Sequence, residues 1–331
     1  MLSAADLQRE AEATGFRGEA LEKVVRLLEL LEGVRSHPFL KHRVALKGGT
    51  ALNLFVFEVP RLSVDIDLNY IGAVSRDVML AERPKLEQAI QAVCARAGME
   101  IKRVPDEHAG GKWRLSYPSA SGRSGTLEVD VNFLLRVALW PTVRSDSRRI
   151  GTFGAAGISM LDLHELAAGK LAALFARAAS RDLFDARELL ATTLIDLERL
   201  RLGFVVYGGM NRRDWRSVAL DDVRADPREV DQQLVPLLRA GAAPARAEIA
   251  AWSERLVAEC RDRLGVVLPL RDEETAFLEQ LNDRGEIVPE LLTADAEMQQ
   301  RLRGHPGLRW KALNVRRHRG LPGGMGETDE A

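Results

Sequence analysis

Two aspartates separated by one residue are the side chains of this sequence best suited to chemistry. In the segment LSVDIDLNYI, Asp65 and Asp67 alternate with apolar residues, a pattern typical of a β-strand with one apolar face and one carboxylate-bearing face. Along a strand the two carboxylates would lie about 6.6 Å apart and repel each other by about 2.5 kcal/mol at an effective dielectric constant of about 20. The alternative interpretation is an edge strand whose aspartates face water.

A neighbouring strand could supply a third carboxylate. The segment LEVDVNF places Glu128, Asp130 and Asn132 on one face, and Asp130 is the best candidate. Three carboxylates on one sheet face repel each other strongly unless divalent cations lie among them, and Mg²⁺ prefers a few carboxylates together with phosphate oxygens. The pattern therefore predicts a metal site at Asp65, Asp67 and Asp130, for Mg²⁺ or Mn²⁺, of the kind that serves phosphoryl-type transfer.

A glycine-containing turn precedes the acidic segment. Gly48, Gly49 and Thr50 follow a short apolar strand and open a helix, where backbone N–H groups can approach a phosphate. Arg61 and Ser63, just before the acidic strand, could donate to the same phosphate. Taken alone, the turn could equally be an ordinary connection with Thr50 as the helix N-cap.

One lysine stands apart in the second half of the chain. Lys170 is the only lysine between residues 113 and 310 and lies in an apolar helical segment, and Asp182 and Asp185 follow it at 12 and 15 residues. An aspartate paired with this lysine could direct its ammonium group at a triphosphate. A lysine that extends along the helix to solvent and an aspartate that begins the next helix are the alternative.

The sequence patterns around these groups predict an α+β fold. Apolar residues three or four apart predict a helix over residues 18–33, and strand patterns cluster in the first half, whereas the segments after residue 161 are mainly helical. We predict three regions, a small mixed sheet with helices over 1–155, a helical part over 156–300 that contributes Lys170 and RDLFD, and a basic segment with a flexible tail over 301–331.

Composition restricts the partners and the location. The chain has 331 residues, 46% apolar and 29% charged, with a formal net charge of −1, so its bulk charge indicates no nucleic-acid or membrane surface. Its two cysteines exclude a disulfide scaffold or a cysteine zinc site, and neither a signal peptide nor a membrane span is indicated. We expect a cytoplasmic protein without membrane contact. One local basic segment could follow an RNA backbone, or be a solvated tail, and it contains Arg309, Lys311, Arg316, Arg317 and Arg319.

The combined motifs resemble a known family. The segments LKGGTALNLF, RLSVDIDL, LEVDVNF and GKLAALFARAASRDLFDARELL occur in the order found in the AbiEii-type nucleotidyltransferases, the toxins of bacterial abortive-infection and toxin–antitoxin systems. The resemblance is strongest over residues 44–190 and continues more weakly through FLEQLNDRGEIVPELL and HPGLRWKALNV. Each motif is weak alone, but the ordered set is specific.

The resemblance implies a DNA polymerase β-like nucleotidyltransferase core followed by a mainly helical part. Its glycine motif matches Gly48, Gly49 and Thr50, its acidic motif matches Ser63, Asp65 and Asp67, and its lysine matches Lys170, all named in this chain's numbering. Its RDxxD-like motif contains Asp182 and Asp185, and either could be the essential one. Asp130 is a less regular match.

The activity implied is Mg²⁺-dependent transfer of a nucleotide from an NTP to an acceptor, with RNA, and the 3′ end of tRNA in particular, as the first expectation. Some relatives are linked instead to GTP binding. A cognate antitoxin encoded nearby would be the partner. Two alternatives remain open from the motifs, a module that binds NTP without transferring it, and a transferase whose acceptor is a small molecule such as an aminoglycoside, or a protein side chain.

Overall fold

A computed structural model describes residues 3–103, 110–192 and 194–321. Its centre is a mixed sheet in the order β3-β4-β5-β2-β1-β7-β6. This sheet and the helices around it confirm the predicted α+β class. The strands are β1 Val44–Lys47, β2 Asp65–Tyr70, β3 Glu100–Arg103, β4 Gly110–Pro118, β5 Ser124–Asn132, β6 Val143–Ser145 and β7 Ile158–Met160.

Helices cover the sheet and make up most of the chain after residue 161. They are α1 Ala4–Thr14, α2 Gly18–Ser36, α3 Gly48–Ala51, α4 Arg76–Arg96, α5 Leu163–Arg177, α6 Ser180–Leu189, α7 Leu197–Gly209, α8 Pro227–Glu229, α9 Ile249–Arg263, α10 Asp272–Glu279, α11 Ala296–Arg303 and α12 Pro306–Arg319.

The pairing of strands brings the acidic segments together. β2 pairs in parallel with β5 and antiparallel with β1, although more than 50 residues of chain separate β2 from β5. A parallel pair needs a crossover connection, and here the crossover contains α4, β3 and β4. The core face of β2 carries Ile66 and Leu68, each 1% exposed. Its carboxylates are thereby held on the opposite face.

The predicted helix over residues 18–33 is confirmed as α2. Its apolar stripe packs against the sheet and α4, and its buried members include Leu21, Val24, Val25, Leu28 and Leu31. Burial of such side chains contributes about 1.5–3 kcal/mol each relative to exposure. This stripe therefore fixes the sheet from behind and leaves the carboxylate face free.

Two segments differ from the sequence expectations. In the part after residue 161 that is expected to be mainly helical, residues 227–239 form only the short α8 followed by one wide and one tight helical turn, because Pro236 lacks an N–H donor and interrupts a longer helix. Strand β7 lies past residue 155 yet pairs with β1. A strand of three residues is too short to show an alternating pattern.

The basic segment is also more ordered than a tail, since residues 306–319 form α12, which buries Leu308 and Ala312. The predicted flexible end over residues 322–331 lies outside the described residues. Within the described residues, no helix combines the length and the apolar character that crossing a membrane requires.

Candidate active site

The glycine turn is fitted against the acidic strand. Gly48 has a positive φ of 73°, a conformation that favours glycine, and a Cβ there would overlap the carboxylate of Asp67. A Cβ on Gly49 would come within 3.0 Å of Arg61 Nη2 and Ser63 Oγ. Gly48 is therefore required for this close approach to Asp67, whereas a side chain at position 49 would need Arg61 or Ser63 to shift slightly.

Thr50 fixes the turn to the strand instead of facing a ligand. It is fully buried, and its Oγ1 lies 2.5 Å from the carbonyl oxygen of Asp65 and 3.1 Å from Ser63 Oγ. The structure does not bring Thr50 to either of the cavities described below. Lys47, and not Thr50, occupies the N-cap position of α3, so the simple capping interpretation does not describe this turn.

The carboxylates of β2 and β5 lie side by side. Asp67 is the register partner of Asp130, and Asp65 is the partner of Glu128. Burial, and then the charge of Asp67, raises the pKa of Asp130. Burial also raises the pKa of Asp65, against the opposing charge of Arg181, whose guanidinium lies 3.7 Å away. Like-charged groups at adjacent strand positions are destabilising, so this arrangement favours a bound cation.

Within the described part of the chain, no three His, Cys, Asp or Glu side chains form a group close enough to hold a metal ion by themselves. The adjacent carboxylates still provide the oxygen donors that Mg²⁺ uses when substrate phosphates complete its shell. The residues therefore fit a metal that arrives with a triphosphate more closely than a permanent three-carboxylate site.

Arg61 and Asp185 form a buried pair beneath the turn. Arg61 donates from Nε and Nη2 to the two oxygens of Asp185, at 2.7 and 2.6 Å, and Asn53 Nδ2 donates to the same carboxylate at 2.9 Å. Burial opposes ionisation, but Arg61 and Lys170 hold the pKa of Asp185 below its usual value. The fork of Arg61, expected to bind phosphate, is thus engaged by a carboxylate.

Lys170 of α5 is held by two aspartates of α6, because the two helices form a hairpin. Ala178 adopts a left-handed conformation between the two helices, which returns the chain so that Asp182 and Asp185 face Lys170. Its ammonium lies 2.7 Å from Asp182 Oδ1 and 2.9 Å from Asp185 Oδ2. These carboxylates keep the pKa of Lys170 raised although burial would lower it, so the lysine is charged.

The two aspartates of the RDLFD segment have different positions. Asp182 also accepts from Arg177 Nε at 2.6 Å, and its pKa is lowered to about 2 because Lys170 and Arg177 outweigh its burial. Asp182 lines the cavity in front of the sheet, whereas Asp185 lies behind it and lines neither cavity. Asp185 is therefore a positioning residue for Arg61 and Lys170.

The sequence-predicted residues converge on one cavity of about 230 Å³, which we call the front cavity. Its lining consists of Gly49, Arg61, Ser63, Asp65, Asp67, Lys112, Glu128, Asp130, Lys170, Arg177, Ala179, Arg181 and Asp182.

A second cavity of about 320 Å³, the side cavity, shares Gly49, Asp67, Asp130, Lys170 and Arg177 with the first. The rest of its lining consists of Lys47, Gly48, Leu135, Leu161, Glu165, Leu166, Gly169, Ala173 and Tyr207.

Sequence reasoning did not assign roles to several lining residues. Arg177 and Arg181 lie inside the motif GKLAALFARAASRDLFD, and their spacing around the turn between two helices was a usable signal. Lys112 lies on β4 opposite Asp130, and only the strand register reveals that position. Glu165 and Tyr207 had no recognisable motif.

The basic segment does not reach either cavity. Lys311 donates to the carbonyl of Asn211 at 2.8 Å, and Arg319 pairs with Asp283 at 2.7 Å. The five basic residues of this segment are absent from the lining of the front and side cavities. Its proposed contact with RNA stays a prediction.

Comparison with known proteins agrees with this geometry. Residues 29–283, more than half of the chain, match the family model described as "Nucleotidyl transferase AbiEii toxin, Type IV TA system". The chain belongs to this family. It is therefore a nucleotidyltransferase toxin of a type IV toxin–antitoxin system, which implies an NTP substrate and an antitoxin partner.

A solved structure shares the fold. The chain is similar to MenT4, a nucleotidyltransferase toxin from Mycobacterium tuberculosis H37Rv, with 19% sequence identity and a TM-score of 0.56. The match covers 93% of this chain and 99% of MenT4. No curated protein sequence matches the chain.

Proposed function

We propose that this AbiEii toxin transfers a nucleoside monophosphate from an Mg²⁺-bound NTP to the 3′ hydroxyl of RNA, with tRNA as the acceptor. The observation that carries the proposal is the adjacent pair Asp67 and Asp130, which lines a cavity together with Lys170 and Arg177. A cavity that combines carboxylates with fixed cations suits a triphosphate with its metal. Because tRNA is a cytoplasmic molecule, the proposal places the enzyme in the cytoplasm.

The carboxylates would hold the metal and accept a proton. Asp67 and Asp130 would ligate Mg²⁺ together with phosphate oxygens of the triphosphate, and Asp65 would join them only once the substrate is bound. The bound metal would neutralise charge on the triphosphate. Asp130 would accept the proton of the acceptor hydroxyl as the general base. The oxygen forms a bond to the α-phosphorus, and the bond from that phosphorus to pyrophosphate breaks.

The cations would orient the triphosphate and stabilise the leaving pyrophosphate. Lys170 has three N–H donors, of which Asp182 and Asp185 take two, so one donor is left for a phosphate at the cavity wall. Arg177 and Arg181 line the same cavity and would neutralise charge that develops on the leaving group. The N–H groups that begin α3 at Gly48 would add backbone donors.

A transfer assay tests the proposal. The purified protein is incubated with each of the four α-labelled NTPs, Mg²⁺ and, in separate reactions, total tRNA, an aminoglycoside mixture or total protein. We expect label in tRNA with the wild type and with Asp262→Asn, since Asp262 is an exposed residue of α9, and none with Asp67→Asn. Label in the small-molecule or protein fraction alone would overturn the RNA acceptor. Undiminished transfer by Asp67→Asn would overturn the assigned site.

A further inference from the structure

The side cavity lies directly beside the reacting groups. Asp67, Asp130 and Lys170 line both the side cavity and the front cavity. If a phosphate binds at these residues, another part of the same nucleotide, or of the neighbouring one, could therefore reach the side cavity. Its volume of about 320 Å³ is at the lower end of the roughly 300–1,000 Å³ of small-molecule sites.

The two cavities have different linings. Charged side chains dominate the front cavity. The side cavity has charged residues where it meets the front cavity, together with Lys47 and Glu165, but the rest of its wall contains Leu135, Leu161, Leu166 and the ring of Tyr207. Apolar walls with a few fixed polar groups suit a flat ring that has a polar edge. Among the parts of a nucleotide, this describes the base and not the phosphates or the ribose.

Tyr207 supplies the polar group, and Glu165 positions it. The hydroxyl of Tyr207 donates to Glu165 Oε1 at 2.9 Å, and the backbone N–H of Leu139 donates to Glu165 Oε2 at 2.9 Å. Glu165 is 1% exposed, so its carboxyl is fixed in place. With its proton directed at Glu165, the oxygen of Tyr207 retains lone pairs that can accept from an amino group on a base edge.

Gly169 lies beside the ring of Tyr207 at the wall of the side cavity. It lies inside α5, where alanine would form a more stable helix. A Cβ at this position would be 3.5 Å from Cε1 of Tyr207, which is ordinary contact, so alanine would fit. Because Gly169 and Tyr207 line the same cavity, a longer side chain at position 169 would take up cavity space beside the ring.

We propose that the side cavity is a nucleobase site in which a base packs between the leucines and Tyr207 and is read by the Tyr207 hydroxyl. The inference rests on the proposed function and adds the part of the substrate that the side cavity selects. The base could belong to the incoming NTP or to the terminal nucleotide of the acceptor RNA. Both sources share the same chemistry, and kinetics separate them.

The test fills the cavity without touching the carboxylates. Gly169→Leu places a side chain in the side cavity beside Tyr207, and Tyr207→Phe keeps the ring but removes the hydroxyl. Ala176→Leu is the matched control, because it adds the same bulk at an exposed position of the same helix. For each variant, KM is measured for the four NTPs and for total tRNA, and the melting temperature is recorded to confirm folding.

If the base comes from the NTP, Gly169→Leu raises KM for the preferred NTP by about tenfold or more, and Tyr207→Phe reduces discrimination among the four NTPs, with KM for tRNA unchanged. If the base comes from the acceptor, KM for tRNA rises instead. Either result supports the site. Folded variants whose two KM values and NTP preference equal those of Ala176→Leu would overturn it.

Direct binding keeps this test separate from the proposed function. If the wild type transfers nothing to any acceptor, the proposed reaction fails, and equilibrium dialysis of the four labelled NTPs and of tRNA then decides the nucleobase site. Weaker binding of either ligand to Gly169→Leu than to Ala176→Leu supports the site. Equal binding overturns it.

Discussion

Replacing Asp185 with asparagine should destabilise the folded protein and lower its activity, although Asp185 lines neither cavity of the active site. The substitution keeps the shape of the side chain but removes the charge that pairs with Arg61 at 2.6 Å and with Lys170 at 2.9 Å. Arg61 is 2% exposed and Lys170 is 6% exposed. Water from the cavity can therefore replace only a small part of the lost interaction.

The structure gives the size of this effect. Removing one partner of a buried ion pair costs about 3–5 kcal/mol. Asp185→Asn leaves Lys170 with Asp182 as its remaining carboxylate and Arg61 with the carbonyl oxygen of Leu62. We expect a loss of about 4 kcal/mol in the free energy of unfolding, measured by urea denaturation at neutral pH. Transfer activity should fall as well, since Lys170 loses one of the two groups that direct it.

The exposed Asp262→Asn is the control and should change stability by no more than about 0.5 kcal/mol. A second variant, Arg61→Met with Asp185→Leu, removes both charges and should recover part of the stability, as buried pairs replaced by apolar residues often do. A loss below about 1 kcal/mol for Asp185→Asn would refute the argument that burial makes this pair indispensable.

Three further outcomes follow from single residues. Gly48→Ala should cost about 1–2 kcal/mol because φ is positive there, and its Cβ should displace the Asp67 carboxylate and abolish transfer, both checked by urea denaturation and the labelled-NTP assay. Burial raises the pKa of Glu165 from 4.5 to about 7, so the native state binds the extra proton, and about 3 kcal/mol of stability should be lost as pH rises through this window. Glu165→Gln should remove that loss in denaturation series at pH 5 and pH 8. The pKa of Asp182 is lowered from 3.8 to about 2, so its contribution of about 2 kcal/mol is present above pH 4 and lost as pH falls through the folded pKa, and Asp182→Asn should flatten this part of an acid titration.

Much of the fold was predictable because its signals are local. The alternation in β2 depends only on which residues face the core, and the apolar Ile66 and Leu68 mark the core face in the sequence. The stripe of α2 is equally periodic. By contrast, β7 has three residues, and its place beside β1 depends on contacts between distant parts of the chain that no local pattern records.

The residues of the site were predictable from the sequence, but the individual role of each residue was not. Asp67 and Asp130 were paired from the idea that a neighbouring strand supplies the third carboxylate, and the register places them side by side. Whether Asp182 or Asp185 faces the substrate depends on how α6 is rotated against α5. Arg61 was assigned to phosphate because an arginine near a glycine turn is suited to it, and only three-dimensional proximity reveals that Asp185 engages it.

The roles of the side-cavity residues were also invisible in the sequence. Glu165 and Tyr207 lie 42 residues apart on different helices, and their hydrogen bond arises from the packing of α5 against α7. Gly169 precedes Lys170 in a recognised motif, but its function depends on which ring lies opposite. Long-range packing, and not residue type, defines this part of the molecule.

The most direct test of the catalytic carboxylates is Mn²⁺ binding measured by electron paramagnetic resonance in the presence of a non-hydrolysable NTP. The wild type and Asp262→Asn should bind the metal–nucleotide complex with the same affinity. Asp67→Asn and Asp130→Asn, folded by circular dichroism, should bind it about tenfold or more weakly, since each substitution removes a ligand. Equal affinity in all four proteins would contradict the assignment of Asp67 and Asp130 to the metal and its triphosphate.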